Sequence, residues 1–285
     1  MIRLDKYLAD AGKGTRSGVK KLIAAGRVSV NGVPVKDSGF KVQESDPVCI
    51  DGRPVRYAAY EYYLLNKPQG VISAVKDEAH GAVCVTDLIE DKLRKDLFPV
   101  GRLDRDTEGL LLITNDGDLC HRLLSPKNHV DKTYYAELDG PLTAEMIRRL
   151  ETGVDIGDET PTRPCRIELS DSGEYAGKSP SERGSTSDLP VPKGDRRPPA
   201  AAACVQEPPA GTSCRRKPPA AASCRITIHE GRYHQIRRMF ETQGLTVTFL
   251  KRLTMGPLIL DDALAPGQYR RLTEEELTAL KAAGG

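Results

Sequence analysis

Residues 101–114 read GRLDRDTEGLLLIT, a charged segment that runs directly into an unbroken apolar run. The apolar part, residues 110–114, lies between Gly109 and the turn-forming sequence Asn115-Asp116-Gly117. A short apolar run between turn signals is typical of a strand buried on both faces. The sequence therefore predicts a buried sheet strand here, with a charged loop at its N-terminal end.

On both sides of this strand, strand-like and helix-like patterns follow each other without strict β–α–β alternation. The sequence predicts strands over residues 61–66, 71–75, 132–138, 226–228 and 247–250, and helices over residues 85–93, 118–124, 144–150 and 235–243. Thr273 and Glu276 have the spacing of a capping box, which predicts a final helix. This mixture predicts an α+β fold for the large part of the chain.

The first 57 residues have a different pattern. Apolar residues 4, 8 and 11 share one face of a predicted helix, and residues 19, 22 and 23 mark a second helix that ends at Gly26. Asn31-Gly32 lies between two alternating valine pairs, which predicts a hairpin. We therefore expect two domains, a helix–helix–hairpin module at 1–57 and an α+β domain at 60–285.

Charge is unevenly distributed along the chain. The 285 residues contain 42 Lys and Arg against 40 Asp and Glu, a net charge of +2. That sum alone would disfavour a nucleic-acid-binding protein, but residues 1–36 hold eight basic residues against two acidic ones. Binding depends on where charge is placed, so the first module is a candidate surface for an anionic partner.

Composition excludes several classes of protein. No run of about 18 apolar residues occurs, which excludes a transmembrane helix. The N-terminal residues carry charges where a signal peptide would be apolar, so we expect no secretion. Seven scattered cysteines without a C-x-x-C pair argue against a disulfide framework and a zinc site, and indicate a reducing cytoplasm.

A segment at about 170–223 consists almost entirely of Ser, Gly, Pro, Ala and charged residues. It contains a decapeptide repeat in which Pro-Pro-Ala precedes Cys204, Cys214 and Cys224. Such a composition buries too little apolar surface to offset its ordering entropy, so we predict a disordered insertion. Metal binding by three cysteines ten residues apart is disfavoured, because the spacing is long and lacks a chelating turn.

The charged loop suggests chemistry, although a simple charged turn would look similar. Asp104, Asp106 and Glu108 resemble the start of a calcium loop, but the following apolar residues cannot supply the remaining ligands. Arg102 and Arg105 flank Asp104, and neighbouring cations keep a carboxylate ionised, as a nucleophile or base requires.

A second cluster, Arg232-Tyr-His-Gln-Ile-Arg237-Arg238, lies at a predicted helix start. It is either a solvated basic face or a phosphate-binding surface with one Arg reserved for a carboxylate. Tyr134 lies in the sequence Lys132-Thr-Tyr-Tyr and is either a core residue or a base-stacking ring. The histidines have no metal-ligand spacing and no phosphate-binding Gly-rich loop occurs, so we predict no metal and no cofactor.

These motifs together resemble a known family. Residues 3–32 resemble the small RNA-binding module named after the fourth protein of the small ribosomal subunit. The Gly101–Asp104 loop with its apolar strand, the Lys132-Thr-Tyr134 strand, and the segment 230–240 resemble the catalytic domain of RsuA-type pseudouridine synthases. The segment 66–74, with His80 and Asp87-Leu88, looks closer to the branch that acts on small-subunit ribosomal RNA. The resemblance implies a mixed, mainly antiparallel sheet for the α+β catalytic domain. The insertion is not part of the family pattern.

The resemblance implies an isomerase that converts a uridine of 16S ribosomal RNA, free or in an assembly intermediate, to pseudouridine. It implies Asp104 as catalytic carboxylate, Arg237 as its ion-pair partner and Tyr134 as the ring that stacks on the base. Phosphate contacts are expected from a larger set of basic residues: Arg3, Arg16, Lys20, Lys21, Arg27, Arg102, Arg232 and Arg238. We expect a cytoplasmic monomer without a membrane partner. A synthase acting on 23S ribosomal RNA and a non-catalytic RNA-binding or ribosome-assembly protein are the alternatives.

Overall fold

The computed structural model describes residues 1–77, 81–125, 130–170 and 221–283. The N-terminal elements are, in chain order, β1 (Ile2–Arg3), α1 (Leu4–Asp10), α2 (Arg16–Ala24), β2 (Val28–Val30), β3 (Val33–Pro34), β4 (Lys41–Val42), β5 (Val48–Ile50) and β6 (Arg53–Pro54). Strands β3, β2, β5 and β6 form an antiparallel sheet in that order, and β1 pairs with β4.

The sequence patterns of this part are confirmed. Leu4 and Leu8 on α1 are fully buried in the core of the module. The Thr15 hydroxyl accepts a hydrogen bond from the Gly18 amide at 3.1 Å and so caps α2. Asn31 and Gly32 both have positive φ, 51° and 78°, which the tight turn between β2 and β3 requires.

The larger part is built on one sheet. Its elements are β7 (Tyr62–Lys67), β8 (Phe98–Pro99), β9 (Glu108–Thr114), α3 (Gly117–Leu124), β10 (Lys132–Leu138), α4 (Ala144–Thr152), β11 (Arg166–Ser170), β12 (Ala222–Ile228), α5 (Gln235–Glu241), β13 (Val247–Met255), β14 (Leu258–Ile259), β15 (Tyr269–Arg271) and α6 (Glu274–Ala283). The strand order is β11-β12-β10-β13-β9-β7-β15, with β14 beside β13 and β8 beside β9. The described pairs are antiparallel except β9 with β13, so the α+β class is confirmed.

Strand β9 lies inside the sheet and is buried on both faces, as its apolar run predicts. Leu111 and Ile113 pack into one core cluster, whereas Leu110 and Leu112 pack into the cluster on the opposite face. The start of its parallel pairing with β13 requires a glycine at position 109, where φ is +104°. A Cβ at that position would lie 2.2 Å from the carbonyl oxygen of Arg252, so only glycine lets the two strands approach this closely.

Two predicted elements are wrong. Residues 71–75 form no strand, since their only β-pairing with other described residues is a bridge between Ile72 and Cys84, and the Ser73 side chain bonds to Leu103. Residues 85–93 form turns instead of a helix. The carboxylates of Asp87 and Glu61 accept hydrogen bonds from the backbone amides of residues 84, 93 and 94, and such side-chain acceptors compete with helical hydrogen bonds.

The two parts of the chain are in contact. The Arg94 guanidinium, which is buried, lies 3.2 Å from the Asp10 carboxylate and donates to the Tyr57 hydroxyl at 2.6 Å. The Lys95 amide donates to the Asp10 carbonyl at 3.3 Å. These bonds join the end of α1 to the large sheet domain, and the limits 1–57 and 60–285 stay our proposed domain boundaries.

Strands β11 and β12 pair in register from Arg166 opposite Thr227 to Ser170 opposite Ser223. Residues 170 and 222–223 thus belong to the sheet, which narrows the proposed insertion at both ends. The rest of the insertion, with Cys204 and Cys214, lies outside the described residues, so its predicted disorder is untested. In the part of the chain that the structure describes, no helix is both long and apolar enough to cross a membrane.

Candidate active site

Asp104 lies in the loop that joins β8 to β9. The Thr107 amide donates to the Asp104 carbonyl at 3.1 Å, which closes a turn, and the Asp104 side chain is about one-third exposed. The Ser73 hydroxyl both accepts from the Leu103 amide, at 3.0 Å, and donates to the Leu103 carbonyl, at 2.8 Å. Leu103, the residue before Asp104, is therefore held in place by Ser73, which lies outside the loop.

Lys67, at the end of β7, anchors the same loop from beneath. Its side chain is fully buried, and its ammonium donates to the carbonyls of Pro68 at 3.0 Å, Arg105 at 3.3 Å and Thr107 at 2.9 Å. Burial lowers the pKa of Lys67 to about 8, against the opposite influence of the carboxylates of the loop. This role of Lys67 was not predicted, although a lysine at the end of an apolar strand, directly before a Pro-Gln-Gly turn, is a visible sequence signal.

All three residues predicted to be catalytic line one small cavity of about 70 Å³. Asp104 enters it from the loop, Tyr134 from the middle of β10, and Arg237 from α5. Tyr134 is 7% exposed, so most of its ring is held by the sheet. Arg102 and Arg232 lie on the wall of the same cavity.

The predicted ion pair between Arg237 and Asp104 is wrong in this structure. Arg237 instead lies 2.8 Å from the carboxylate of Asp106 and donates to the Val247 carbonyl at 2.9 Å. Asp104 faces His234, with 3.6 Å between Oδ1 and Nε2. Sequence spacing could not separate two aspartates that are two residues apart on the same loop.

His234 is positioned by an unusual backbone conformation. It precedes α5 with a left-handed φ of 50°, and its ring stacks on that of Tyr233 at a centroid distance of 3.9 Å. Tyr233 is 74% exposed at the rim of the site. His234 belongs to the basic cluster at 232–238 in the sequence, but no motif predicted its place beside Asp104, which depends on the left-handed backbone conformation.

Arg232 and Arg238 are held by protein groups. The Arg232 guanidinium donates to Glu230 at 3.1 Å and to the carbonyls of Thr160 and Pro161 at 2.6 and 3.0 Å. Arg238 lies 2.7 Å from Asp158 and also donates to the Ile156 carbonyl. Hydrogen bonding from Arg238, reinforced by Arg232, lowers the pKa of Asp158. Both arginines fix the loop at 156–161, and their contact with RNA stays a prediction.

The basic residues of the first module are exposed on its surface, as expected for an RNA-binding face. Arg3 binds both oxygens of the buried Asp5 at 3.1 and 3.2 Å, and Lys20 lies 3.8 Å from the same carboxylate. Hydrogen bonding from Arg3 lowers the pKa of Asp5. Arg27 pairs with Asp51. Arg16 and Lys21 are also exposed, on α2.

A second, wider cavity of about 580 Å³ opens beside the first. Arg102, Asp104 and Tyr134 belong to the walls of both cavities. The wider cavity also reaches Lys132 and Arg252. Among the described residues, no group of three His, Cys, Asp or Glu side chains is placed to hold a metal ion.

Comparisons with known proteins agree with this geometry. The RNA pseudouridylate synthase family model matches residues 61–242, and the S4 domain model matches residues 2–48. An uncharacterized RNA pseudouridine synthase of Bacillus subtilis, YtzG, is 40% identical over 98% of this chain and 98% of its own length. The ribosomal large subunit pseudouridine synthase B of the same organism is 36% identical, covering 99% of this chain and 96% of that protein.

The ribosomal small subunit pseudouridine synthase A of Vibrio cholerae is 32% identical over 98% of this chain and 99% of its own length. A crystal structure of a pseudouridylate synthase matches with a TM-score of 0.57 at 29% identity, covering 98% of this chain and all of that one. Because a family model covers more than half of the chain and full-length relatives exceed 30% identity, this chain belongs to the RNA pseudouridylate synthase family and is an isomerase with an N-terminal S4 domain.

Proposed function

We propose that this pseudouridine synthase modifies a uridine of ribosomal RNA, with Asp104 as the catalytic carboxylate. The observation that carries the proposal is the shared cavity, in which Asp104, Tyr134 and Arg237 come together from a loop, a strand and a helix. Relatives named for both ribosomal subunits support ribosomal RNA as the substrate class.

The reaction breaks the N1–C1′ bond, turns the freed uracil and joins C5 to C1′, while a proton leaves C5 and one is added at N1. Product and substrate are isomers, so no co-substrate is consumed. Asp104 acts on the ribose, either by attack on C1′ or by removal of the C2′ proton. The target nucleotide must leave its stack to reach Asp104, which costs a few kcal/mol and least at an irregular RNA site.

The other two residues assist this step. The largely buried ring of Tyr134 offers a face on which the uracil stacks while it is detached. Arg237 and Asp106 form an ion pair at the cavity wall, which orients the charged loop. Arg237 and Asp104 line the same cavity, so the charge of Arg237 contributes to the electrostatic field at the catalytic carboxylate.

Asp104→Asn tests the catalytic assignment, because the amide keeps the shape and removes the charge. We expect activity to fall to background when proton release from C5 is followed with 5-tritiated uridine in transcribed ribosomal RNA. Asp118→Asn, a carboxylate exposed on α3, is the matched control and should be as active as the parent. Modification by Asp104→Asn at the parental rate would refute the assignment and would leave Asp104 as a structural residue.

For the target we propose a uridine of 16S ribosomal RNA, supported by the resemblance of segment 66–74 to the small-subunit branch. The second candidate is 23S ribosomal RNA, favoured by the 36% identity to a large-subunit synthase. Mapping pseudouridines in both RNAs with and without this protein decides between them. Loss of one site from 16S RNA is expected, and loss from 23S RNA would establish the alternative. Action as a cytoplasmic monomer stays a prediction.

A further inference from the structure

A buried arginine next to the catalytic residues lacks part of its hydrogen bonding. Arg252 lies in the middle of β13 and is 2% exposed. Its Nε donates to the Leu110 carbonyl at 2.7 Å, but its buried Nη2 has no acceptor among the described residues. A buried charged donor without an acceptor is costly, so such a group indicates a missing partner that accepts hydrogen bonds.

A second cation lies on the same strand pair. Arg252 is directly opposite Tyr134 in the register of β10 and β13, and Lys132 is two residues before Tyr134 on the same strand. Successive residues of a strand alternate in face, which places Lys132 on the side of Tyr134. Burial lowers the pKa of Lys132 to about 8, and the charge of Arg252 acts in the same direction.

The protein itself offers these cations little compensation. Neither Arg252 nor Lys132 forms an ion pair with any residue that the structure describes. The Lys132 ammonium donates to the Val130 carbonyl at 2.8 Å. Asp131, the next residue, is bound by His229 at 2.6 Å. Two like charges in a partly buried site repel each other, and a bound anion would turn that repulsion into attraction.

The cavity in front of these cations is large enough for part of a nucleotide chain. Its volume of about 580 Å³ lies within the range of about 300–1,000 Å³ that is common for small-molecule sites. Arg102, Asp104 and Tyr134 connect it to the smaller cavity, in which the target uracil would stack on Tyr134. A strand whose base occupies the small cavity must pass its sugar-phosphate backbone through the wider one.

We propose that Arg252 and Lys132 bind a backbone phosphate next to the target uridine, a role that rests on the proposed function of the same site. A phosphodiester is permanently anionic and has the oxygen acceptors that Nη2 of Arg252 lacks. Its contact is remote from the bonds that change. The binding energy therefore serves to place the ribose against Asp104.

The first experiment uses the full chain, inorganic phosphate and transcribed ribosomal RNA. Wild-type protein should gain thermal stability with millimolar phosphate, which should also inhibit competitively with RNA. Lys132→Met and Arg252→Gln should each lose both effects and raise KM by about 10- to 100-fold, the equivalent of one charge-assisted contact. Lys132→Arg should restore most of the affinity. Arg148→Gln, an exposed arginine of α4, removes the same charge elsewhere and should behave as wild type.

A merely structural role predicts a different pattern. Without phosphate, Lys132→Met should fold as stably as wild type, because the substitution removes a repulsion between cations. A marked loss of stability in that variant, together with unchanged phosphate inhibition and unchanged KM, would overturn the proposal. Wild-type protein that forms no pseudouridine at all would instead refute the proposed function.

A second experiment separates RNA phosphate from free phosphate. A synthetic RNA that contains the mapped target uridine is prepared with one neutral methylphosphonate, either 5′ or 3′ of that nucleotide. One of the two positions should raise KM for wild type by the factor seen in Lys132→Met, and the same RNA should cause no further loss in that variant. If both methylphosphonate RNAs raise KM in Lys132→Met by the same factors as in wild type, the two changes act independently, and the site binds free anions and not the RNA backbone.

Discussion

Lys67→Met tests whether a buried ammonium positions the catalytic loop. The substitution keeps an apolar side chain of similar length and removes the three bonds to the carbonyls of Pro68, Arg105 and Thr107. Without that anchor the loop that carries Asp104 loses its support from β7. We expect kcat to fall by about 10- to 100-fold, because misplacement by about 1 Å has effects of that size.

The expected effect on stability is much smaller. The ammonium contributes about 1.5–3 kcal/mol for each hydrogen bond to a charged group, but its burial costs several kcal/mol in lost hydration. The lowered pKa, about 8 instead of 10.5, means that folding disfavours the protonated form of Lys67 by about 3 kcal/mol relative to the neutral form, because burial outweighs the attraction of the loop carboxylates. These terms oppose each other when methionine replaces the lysine, so the free energy of unfolding should change by less than about 2 kcal/mol.

The pH dependence gives an independent check. Between about pH 8 and 10.5, Lys67 is largely neutral in the folded chain and still protonated in the unfolded chain. The unfolded state then binds more protons, so the stability contributed by this group rises with pH through that window. Relative to Lys67→Met, wild type should gain up to about 3 kcal/mol from pH 7 to above pH 10. Other groups that titrate there, including Lys132, are common to both proteins and largely cancel.

The assays are urea unfolding at pH 7 and pH 10 and tritium release from RNA at pH 7. Lys92→Met is the matched control, since the exposed Lys92 ammonium also donates to a loop carbonyl, that of Thr86, at 2.8 Å. Wild-type kcat in Lys67→Met would refute the anchoring role. A loss above about 4 kcal/mol that is the same at both pH values would show that Lys67 stabilises the fold as a cation.

Two further predictions concern the sheet. Gly109→Ala should lower the free energy of unfolding by more than about 2 kcal/mol, because the new Cβ meets the Arg252 carbonyl. Gly32→Ala, also at a positive φ but in open space, is the control and should lower the free energy of unfolding by about 1 kcal/mol. Chemical unfolding measures both. Replacing residues 171–220 by an Asn-Gly turn should leave melting temperature and activity nearly unchanged, since Ser170 and Ser223 already pair; a loss above about 2 kcal/mol would mean that the segment is packed.

The elements that could be predicted from sequence are those whose local signals agree with their tertiary surroundings. The apolar run of β9 is buried on both faces, and Thr273 and Glu276 exchange the two hydrogen bonds that their spacing predicts. The predicted strand at 71–75 and helix at 85–93 were wrong because residues distant in sequence bind these segments: Ser73 bonds to Leu103, and Glu61 accepts hydrogen bonds from the amides of residues 93 and 94.

The same limit applies to the site. Asp104, Tyr134 and Arg237 could be singled out by their motifs, and the fold does bring them to one cavity. Which aspartate Arg237 contacts depends on how α5 lies against the loop, and the strands that follow the two, β9 and β13, pair with each other in parallel. Pairing of strands about 140 residues apart leaves no local signature in the sequence.

The parallel contact of Gly109 with Arg252 also constrains when the protein can begin to work during its own synthesis. The N-terminal module is held by local contacts, so we expect it to fold while most of the chain is still in the exit tunnel or not yet synthesised. The loop that carries Asp104 receives its neighbouring strand only after residue 252 has left the exit tunnel. A nascent chain therefore acquires its RNA-binding face long before its catalytic geometry, and can recognise an RNA that it is not yet able to modify.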